Sequence, residues 1–235
     1  VTRWLAVGPE ADMVRACLMD GDILLEQSLF RDEEAALAAY PDHAEKAVRV
    51  GAGAPHATPT AILPNLVAQV PAVTQETPPD LLGGWARLRV AGVAASRPHW
   101  EGVVLDAGSE SNHWVHVSAD EIVSFQGAAT PRLIAALDGA PVADDEAADS
   151  TLSRPERLSA HLHGALLAGD ARAVTGHLLG AEIAAAKPYW LGQEVIVLSQ
   201  TDTLAALLRG QGADAVTAAP DDMLARGLAA RAAGG

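Results

Sequence analysis

Cysteine is almost missing from this chain: the single one, Cys17, leaves no partner for an internal disulfide. It lies in the apolar run from Val14 to Leu18, which predicts a buried core thiol. Aromatic residues make up only 4 % of the chain, so the 49 % of residues that are hydrophobic must pack mainly as Ala, Val and Leu. Such small-grained packing suits helices lying flat on sheets. Positive charge is also scarce: 16 Lys and Arg against 30 Asp and Glu give a net charge of −14. That balance repels phosphate backbones and excludes nucleic acid as the expected partner. It does not exclude a nucleotide, because backbone N–H groups and a bound metal neutralise phosphates locally. No stretch approaches the ~18 continuous apolar residues of a membrane-spanning helix. The first residues, Val1-Thr2-Arg3-Trp4, enter a strand without a signal-peptide pattern, and a cytoplasmic location with no membrane partner is the expectation.

What the chain does have is an internal repeat. Shifted by 99 positions, Leu5-Ala6-Val7 falls on Val104-Leu105-Asp106, Ala16-Cys17-Leu18 on Val115-His116-Val117, and Ile23-Leu24-Leu25 on Ile122-Val123-Ser124. Each copy reads as strand, polar loop, strand, tight turn, strand, with Met19-Asp20-Gly21-Asp22 and Ser118-Ala119-Asp120-Glu121 as the turns. The first loops differ. One is Gly8-Pro9-Glu10-Ala11-Asp12, the other starts Asp106-Ala107-Gly108-Ser109.

Between the copies, residues 32–46 predict a helix whose acidic first turn, Asp32-Glu33-Glu34, suits the positive end of the dipole. Ala47 to Val50 predicts a short strand, and Gly51-Ala52-Gly53-Ala54 a plain turn that lacks the lysine of a P-loop. Residues 55–80 hold six prolines and predict a surface crossover or substrate-side loop rather than sheet. Leu81 to Arg97 is ambiguous between helix and strand. After the second meander, a short helix over 130–137 and an acidic, mobile stretch over 138–153 are expected. Two long helices follow, over 154–168 and 171–187, the second ended by Pro188. Strand 194–198, helix 203–209, strand 214–217 and helix 221–232 complete an α/β pattern. The division falls at Arg97-Pro98-His99, giving an N-terminal lobe over 1–98 and a C-terminal lobe over 99–235.

A three-strand meander followed by crossover helices and parallel strands, arranged twice, is the plan of the actin-like ATPase and sugar-kinase (ribonuclease H-like) folds. The expected fold is therefore α/β with two related lobes. At the level of residues, Gly176-His177-Leu178-Leu179-Gly180-Ala181-Glu182-Ile183-Ala184-Ala185 resembles the "GLLIGAE(I/V)A" helix of the 2-dehydro-3-deoxygalactonokinases. Gly108-Ser109-Glu110-Ser111-Asn112-His113-Trp114-Val115 resembles that family's "GTHxKWV" loop with one residue inserted. Glu121 to Phe125 is similar to the strand after it, and Gln75-Glu76-Thr77 followed by Leu81-Leu82-Gly83 is distantly similar to "GEET…LLG". The likeness runs from about residue 102 to the end, and the chain is shorter than the family norm.

The resemblance implies a kinase of 2-dehydro-3-deoxygalactonate that uses ATP and Mg2+, with a sugar acid and a nucleotide as partners. It implies Asp106 as the catalytic carboxylate. Gly108, Ser109, Ser111, Asn112, His113, Gly176, Gly180 and Thr201 would lie on the nucleotide and its phosphates, and Arg15 would contact substrate. No metal-ligating residue is assigned, and a homodimer is left open. The first loop departs from the family's "DWGT/S-T/S-N-x-R", of which only Arg15 survives. Gly8 stands where the family has the aspartate that holds the metal's water shell, and Glu10 where it has the tight-turn glycine. The family's lysine in the second loop is His113, and Ser199-Gln200-Thr201-Asp202 replaces its adenosine-side turn.

Read without the family, the Asp106–Ser109 stretch is either a phosphate hairpin or an ordinary Asp-Gly turn. Glu10 and Asp12 read as solvated loop charges, with a new carboxylate pair as the alternative. His113 and His116 fall on opposite faces of a strand, and His161 and His163 diverge by about 200° on a helix, so neither pair predicts a zinc site. Gly176 and Gly180 predict close helix–sheet packing. Two functions remain: a sugar-acid kinase with a degraded first loop, or a catalytically inactive pseudokinase that acts as a sugar-acid or nucleotide sensor or a protein-interaction module. In the second case no cofactor is used. The first loop favours the second function.

Overall fold

The computed structural model describes residues 3–63 and 68–233. The first meander is β1 (Arg3–Glu10), β2 (Met13–Asp20) and β3 (Ile23–Phe30), and the second is β10 (Gly102–Ala107), β11 (Asn112–Ser118) and β12 (Glu121–Ala128). Their starts repeat the offset read from the sequence to within a residue. Between them lie α1 (Glu33–Ala39), β4 (Val48–Val50), β5 (His56–Ala57), β6 (Thr60–Ala61), β7 (Gln69–Val70), β8 (Val73–Glu76), β9 (Pro79–Leu82) and α2 (Gly84–Ser96). Thereafter come α3 (Thr130–Ala136), α4 (Asp145–Ser153), α5 (Leu158–Ala168), α6 (Ala171–Ala185), α7 (Lys187–Trp190), β13 (Glu194–Leu198), α8 (Thr203–Gly210), β14 (Asp214–Ala218) and α9 (Pro220–Ala233). Among the described residues the sheets run β3-β2-β1-β4-β7, β14-β13-β10-β11-β12-β6 and β5-β8-β9.

Contacts divide the chain into one compact unit of residues 1–101, 116–125 and 219–235 and another of 102–115 and 126–218. This differs from the division at Pro98 in two main respects: residues 116–125 of the second meander and helix α9 both group with the first unit. Helix α9 packs with the first unit, where Leu224 and Leu228 join Ala6, Cys17, Met19, Val48, Val50, Val70, Trp85 and Leu88 in one buried cluster. The strand period of two sends Leu5 and Val7 to the other face of β1, against Ala36 of α1. In the second unit, Val103, Leu105, Trp114, Ile183, Val195, Val197 and Leu208 form the main cluster.

Cys17 is fully buried, and burial pushes its thiol up to about 12. The few aromatics carry more of the core than their number suggests. Trp85, Trp114 and Trp190 are all buried, and each indole N–H is bound: to Gly8 O at 3.2 Å, Glu182 Oε1 at 2.9 Å and Ile183 O at 2.8 Å.

Several expectations need correction. Helix 32–46 ends at Ala39, because Pro41 starts a separate 3-10 turn over Pro41–Lys46. Likewise the 154–168 helix begins only at Leu158, after a 3-10 turn opened by Pro155. Residues 55–80 are not a bare loop but carry β5 to β9, apart from 64–67, which lie outside the described residues. The organiser is Arg87 of α2, which is fully buried. It donates to Ile62 O at 2.7 Å, Pro71 O at 2.9 Å and Ala61 O at 2.6 Å, and faces His56 Nδ1 at 3.4 and 3.5 Å. Burial lowers the arginine to about 10, and burial followed by the nearby guanidinium holds His56 below its ordinary value. Gln75 adds a second fastening: its amide accepts from Phe125 N–H at 3.0 Å and donates to Phe125 O at 2.8 Å, as a paired strand would.

The acidic stretch expected to be mobile holds α4, capped by Asp144 on Ala147 N–H at 2.8 Å, with Ala147, Ala148 and Thr151 buried. Gly176 and Gly180 pack α6 on this helix rather than on a sheet. A Cβ at either would stand 2.3 Å from Asp144 O or 2.2 Å from Ala148 O. Helices α2 and α9 interlock in the same way, since a Cβ at Gly92 would meet Met223 O at 1.8 Å and one at Gly227 would meet Leu88 O at 1.9 Å. Gly227→Ala is therefore expected to lower stability by about 1–3 kcal/mol, read from the midpoint of urea unfolding.

Candidate functional site

The two first hairpins are the places where phosphate chemistry was expected, and they are built differently. Strand β1 pairs with β2 through to Glu10↔Met13, leaving only Ala11 and Asp12 as the turn, with Ala11 at φ 51°. The stretch expected as a polar loop is thus mostly strand. Gly8 is pinned on two sides. Its carbonyl accepts from the Trp85 indole, and β4 runs parallel beside it, so that a Cβ at position 8 would stand 2.0 Å from Val50 O. No side chain fits there.

Glu10 is not a solvated loop charge. Its carboxylate accepts from the Arg15 Nε and, at 3.2 Å, from Arg89 of α2. Arg15 also donates to Gln27 Oε1 at 2.6 Å and lies 3.8 Å from Asp221 Oδ1. The side chains of Glu10, Arg15 and Arg89 are 25 %, 16 % and 13 % exposed, so water screens this cluster only in part. Arg15, the expected substrate contact, is engaged by its own hairpin. Asp12 is exposed, as expected.

The second hairpin has a longer connection. Residues 108–111 form a loop closed by a hydrogen bond from Gly108 N–H to Ser111 O at 3.2 Å. Glycine is required at 108 by the loop itself, since a Cβ would come within 2.7 Å of that same carbonyl. Ser109 is exposed, Ser111 half-buried, and Glu110 is tied to Arg132 of α3 at 2.8 Å. Asp106 closes β10, 3 % exposed, beside Leu198 of β13.

Asn112 and His113 are buried. The Asn112 amide nitrogen donates to both carboxylate oxygens of Glu182, at 3.1 and 2.9 Å, while Trp114 donates to Oε1 at 2.9 Å. Thr130 donates to the same group, and these three donors pull against burial, which dominates and raises the carboxyl of Glu182. Glu182 of α6 therefore fastens the base of the second hairpin and the start of α3. The resemblance included this glutamate but gave it no role. Its signal was the lone acid of the helix, set among Leu178, Leu179 and Ile183.

The remaining expected residues fall elsewhere. Gly176 and Gly180 have their open faces covered by the backbone of α4. Thr201 is exposed in the β13–α8 turn, where its N–H donates to Ser199 Oγ at 3.1 Å. Asp202 beside it is held below the usual carboxylate range by its bonds to Arg209 and Thr217. The structure thus brings Asp106, Gly108, Ser109, Ser111, Asn112 and His113 together along one hairpin. It assigns Asn112 to Glu182, and the two α6 glycines to helix packing. Among the described residues no group of three or more His, Cys, Asp or Glu could hold a metal ion.

A sequence model of the 2-keto-3-deoxy-galactonokinase family matches residues 33–231. The chain belongs to this family. The match begins after the first meander of this galactonokinase-family chain and takes in the whole second hairpin. Among solved structures, a candidate 2-dehydro-3-deoxygalactonokinase from Sinorhizobium meliloti is similar at TM-score 0.78 and 19 % identity, over 97 % of this chain and 95 % of that one. The (R)-2-hydroxyglutaryl-CoA dehydratase component A of Acidaminococcus fermentans is similar at 0.53 and 13 %, over 98 % and 97 % of the two chains. The activator of 2-hydroxyisocaproyl-CoA dehydratase from Clostridium difficile, solved with bound ADPNP, is similar at 0.53 and 10 %, over 98 % and 94 %. No curated protein matches the chain. At these identities the solved structures establish the fold, which is the actin-like ATPase and sugar-kinase fold. No helix among the described residues is long and apolar enough to cross a membrane.

Removing the acceptor at the base of the second hairpin strands several buried donors. Glu182→Ala should cost at least about 2 kcal/mol, at about 1–3 kcal/mol for each unsatisfied group. Chemical denaturation of the purified variant measures it.

Proposed function

We propose that this member of a sugar-kinase family has lost phosphoryl transfer and persists as a binding protein for a sugar acid or nucleotide, with phosphate approached by the second hairpin. The observation that carries the reading is the backbone of β4 against Gly8. A family kinase would hold a carboxylate at this position to order the water shell of the metal. Here a carboxylate would need Val50 to move by more than an ångström. Two further observations support the reading. Glu10 brings negative charge to the turn where the family has glycine, and it engages both Arg15 and Arg89. The family match also leaves out β1 to β3.

ATP and a divalent metal are implied by the family. The first hairpin does not fit them, since it has neither room for the carboxylate nor an uncommitted cation in Arg15. No catalytic step is therefore derived through them. The second hairpin fits phosphate better: its loop spans four residues, its glycine is present, and Ser109 is exposed. The rival reading is an active kinase that relies on Asp106, and it is favoured by the burial of that carboxylate at the end of β10.

A coupled assay of ADP release with 2-dehydro-3-deoxygalactonate, ATP and magnesium separates the two. The expected outcome is no turnover above background. A rate near one per second or faster lies in the ordinary kinase range of about 1–100 s−1 and would establish the active reading. Restoring the family residue by Gly8→Asp should not rescue activity and should lower the melting temperature. If titration calorimetry detects ADP binding, Ser109→Asp should weaken it roughly tenfold or more, by like-charge repulsion at the exposed loop tip, without changing the melting temperature.

A further inference from the structure

Helix α2 has a second apolar side. Trp85 and Leu88 belong to the core cluster shared with β1 and α9. Next to them Ala91, Ala94 and Ala95, with Pro98 just past the helix end, repeat at i, i+3, i+4 and i+7, the period of a helix face that packs on a partner. This face looks instead into a cavity of about 450 Å3. Burial grades from floor to rim: Ala91 is buried, Ala94 half-buried, Ala95 and Pro98 exposed. Ala230 of α9 forms a second wall, and Ala61 and Ile62 a third. The backbone of that third wall is already bound. Ala61 O and Ile62 O accept from Arg87 at 2.6 and 2.7 Å, and Ile62 N–H donates to Asp120 O at 3.1 Å. All of these residues lie in the first unit. Among the described residues that line the cavity only His99 and Asp120 have polar side chains, and both are exposed.

We propose that this cavity binds a small amphipathic amine, its apolar body lying along the alanines of α2 and its ammonium group at the carboxylate of Asp120. The volume falls within the roughly 300–1,000 Å3 of small-molecule sites, and the make-up matches them: a mostly apolar lining with a few polar groups at fixed places. Charge selects the head group. Among the described residues the lining holds one carboxylate and no Lys or Arg, in a chain of net charge −14. An anionic head is therefore repelled where a cationic one is held. Arg87 does not offer an anion a seat, because its guanidinium is taken up by the carbonyls of Ala61, Ile62 and Pro71 and by His56. A sugar acid finds neither positive charge nor enough hydrogen-bonding groups among these alanines. The cavity is thus a site apart from the second hairpin, and it does not rest on the function proposed above. The body supplies most of the affinity, up to about fourfold for each methylene fully buried. The ion pair at the exposed rim adds only about two- to fivefold.

The test uses N-phenyl-1-naphthylamine, a neutral dye that brightens in apolar surroundings. The wild-type protein should take it up at neutral pH and low salt. Octylamine, octanol and octanoate should then displace it in that order of strength, with the amine about two- to fivefold ahead of the alcohol. Octylamine should surpass hexylamine by up to about fifteenfold, two methylenes at about fourfold each. Asp120 holds a left-handed backbone, φ 61°, which asparagine tolerates. Asp120→Asn should therefore fold, lose the preference for octylamine and bind octanol as before. Ala94→Phe fills the cavity and should abolish dye uptake. If that variant does not fold, Ala95→Phe, at an exposed position, takes its place. No dye uptake by the wild type, undiminished uptake by the filled variant, octanoate as the strongest competitor, or an amine preference that survives in Asp120→Asn would each overturn the proposal. So would light scattering that shows a dimer dissolved by the filling substitution, since a second copy would then be what covers the alanines.

Discussion

The approach of β4 to β1 leaves position 8 without room for any atom beyond the backbone, and the rest of the first hairpin follows from that. With Gly8 pressed on Val50 and its carbonyl held by Trp85, β1 runs on as regular strand to Glu10. The turn shrinks to two residues. Glu10 then sits at the strand end, half-buried, where a carboxylate needs partners, and Arg15 and Arg89 supply them. Replacing one residue of this set would not recreate a phosphate loop. The strand pairing, the tight turn and the ion pairs hold one another in place.

Each unit also contains a buried charge satisfied by neutral groups. In the first, Arg87 is surrounded by three carbonyls and a histidine nitrogen. In the second, Glu182 is surrounded by an amide, an indole and a hydroxyl. Dipoles from separate pieces of chain converge on each ion. Such a centre specifies geometry more than it adds stability, because taking the ion out of water is costly and the dipoles only offset that cost. Arg87 in this way orders β5 to β7, strands too short to hold themselves, and Glu182 orders the second hairpin against α6.

These centres explain what could be read from the sequence and what could not. The two meanders were legible because alternating residues such as Leu5, Ala6 and Val7 face opposite sides, and because the second copy repeats the pattern at a constant offset. The helix end at Gly169 was legible from backbone chemistry; the helix expected to run to Lys187 stops at Ala185 instead, and Pro188 lies in the first turn of α7. The strands in 55–80 were not, since strands of two to four residues carry almost no period and the organiser of β5 to β7 lies outside the stretch, at Arg87. Helix α4 was hidden by its acidic composition, although Ala147, Ala148 and Thr151 form its buried side. At the site, Gly8 and Glu10 were visible as departures. The β4 carbonyl behind Gly8 and the second arginine on Glu10 were not, since both come from elements distant in sequence. The glycines of α6 suggested close packing, but nothing in their spacing told helix from sheet.

The interlock of α2 with α9 has a consequence for how the protein is made. The first unit needs Leu224 and Leu228 to complete its core, yet these residues emerge from the ribosome about 120 residues after α2. Throughout that interval the apolar side of α2, with Trp85 and Leu88, has its sheet on one side and no α9 on the other. The second unit, by contrast, ends at Ala218 and can form before α9 is released. Synthesis order therefore reverses sequence order: the unit that begins first is finished last.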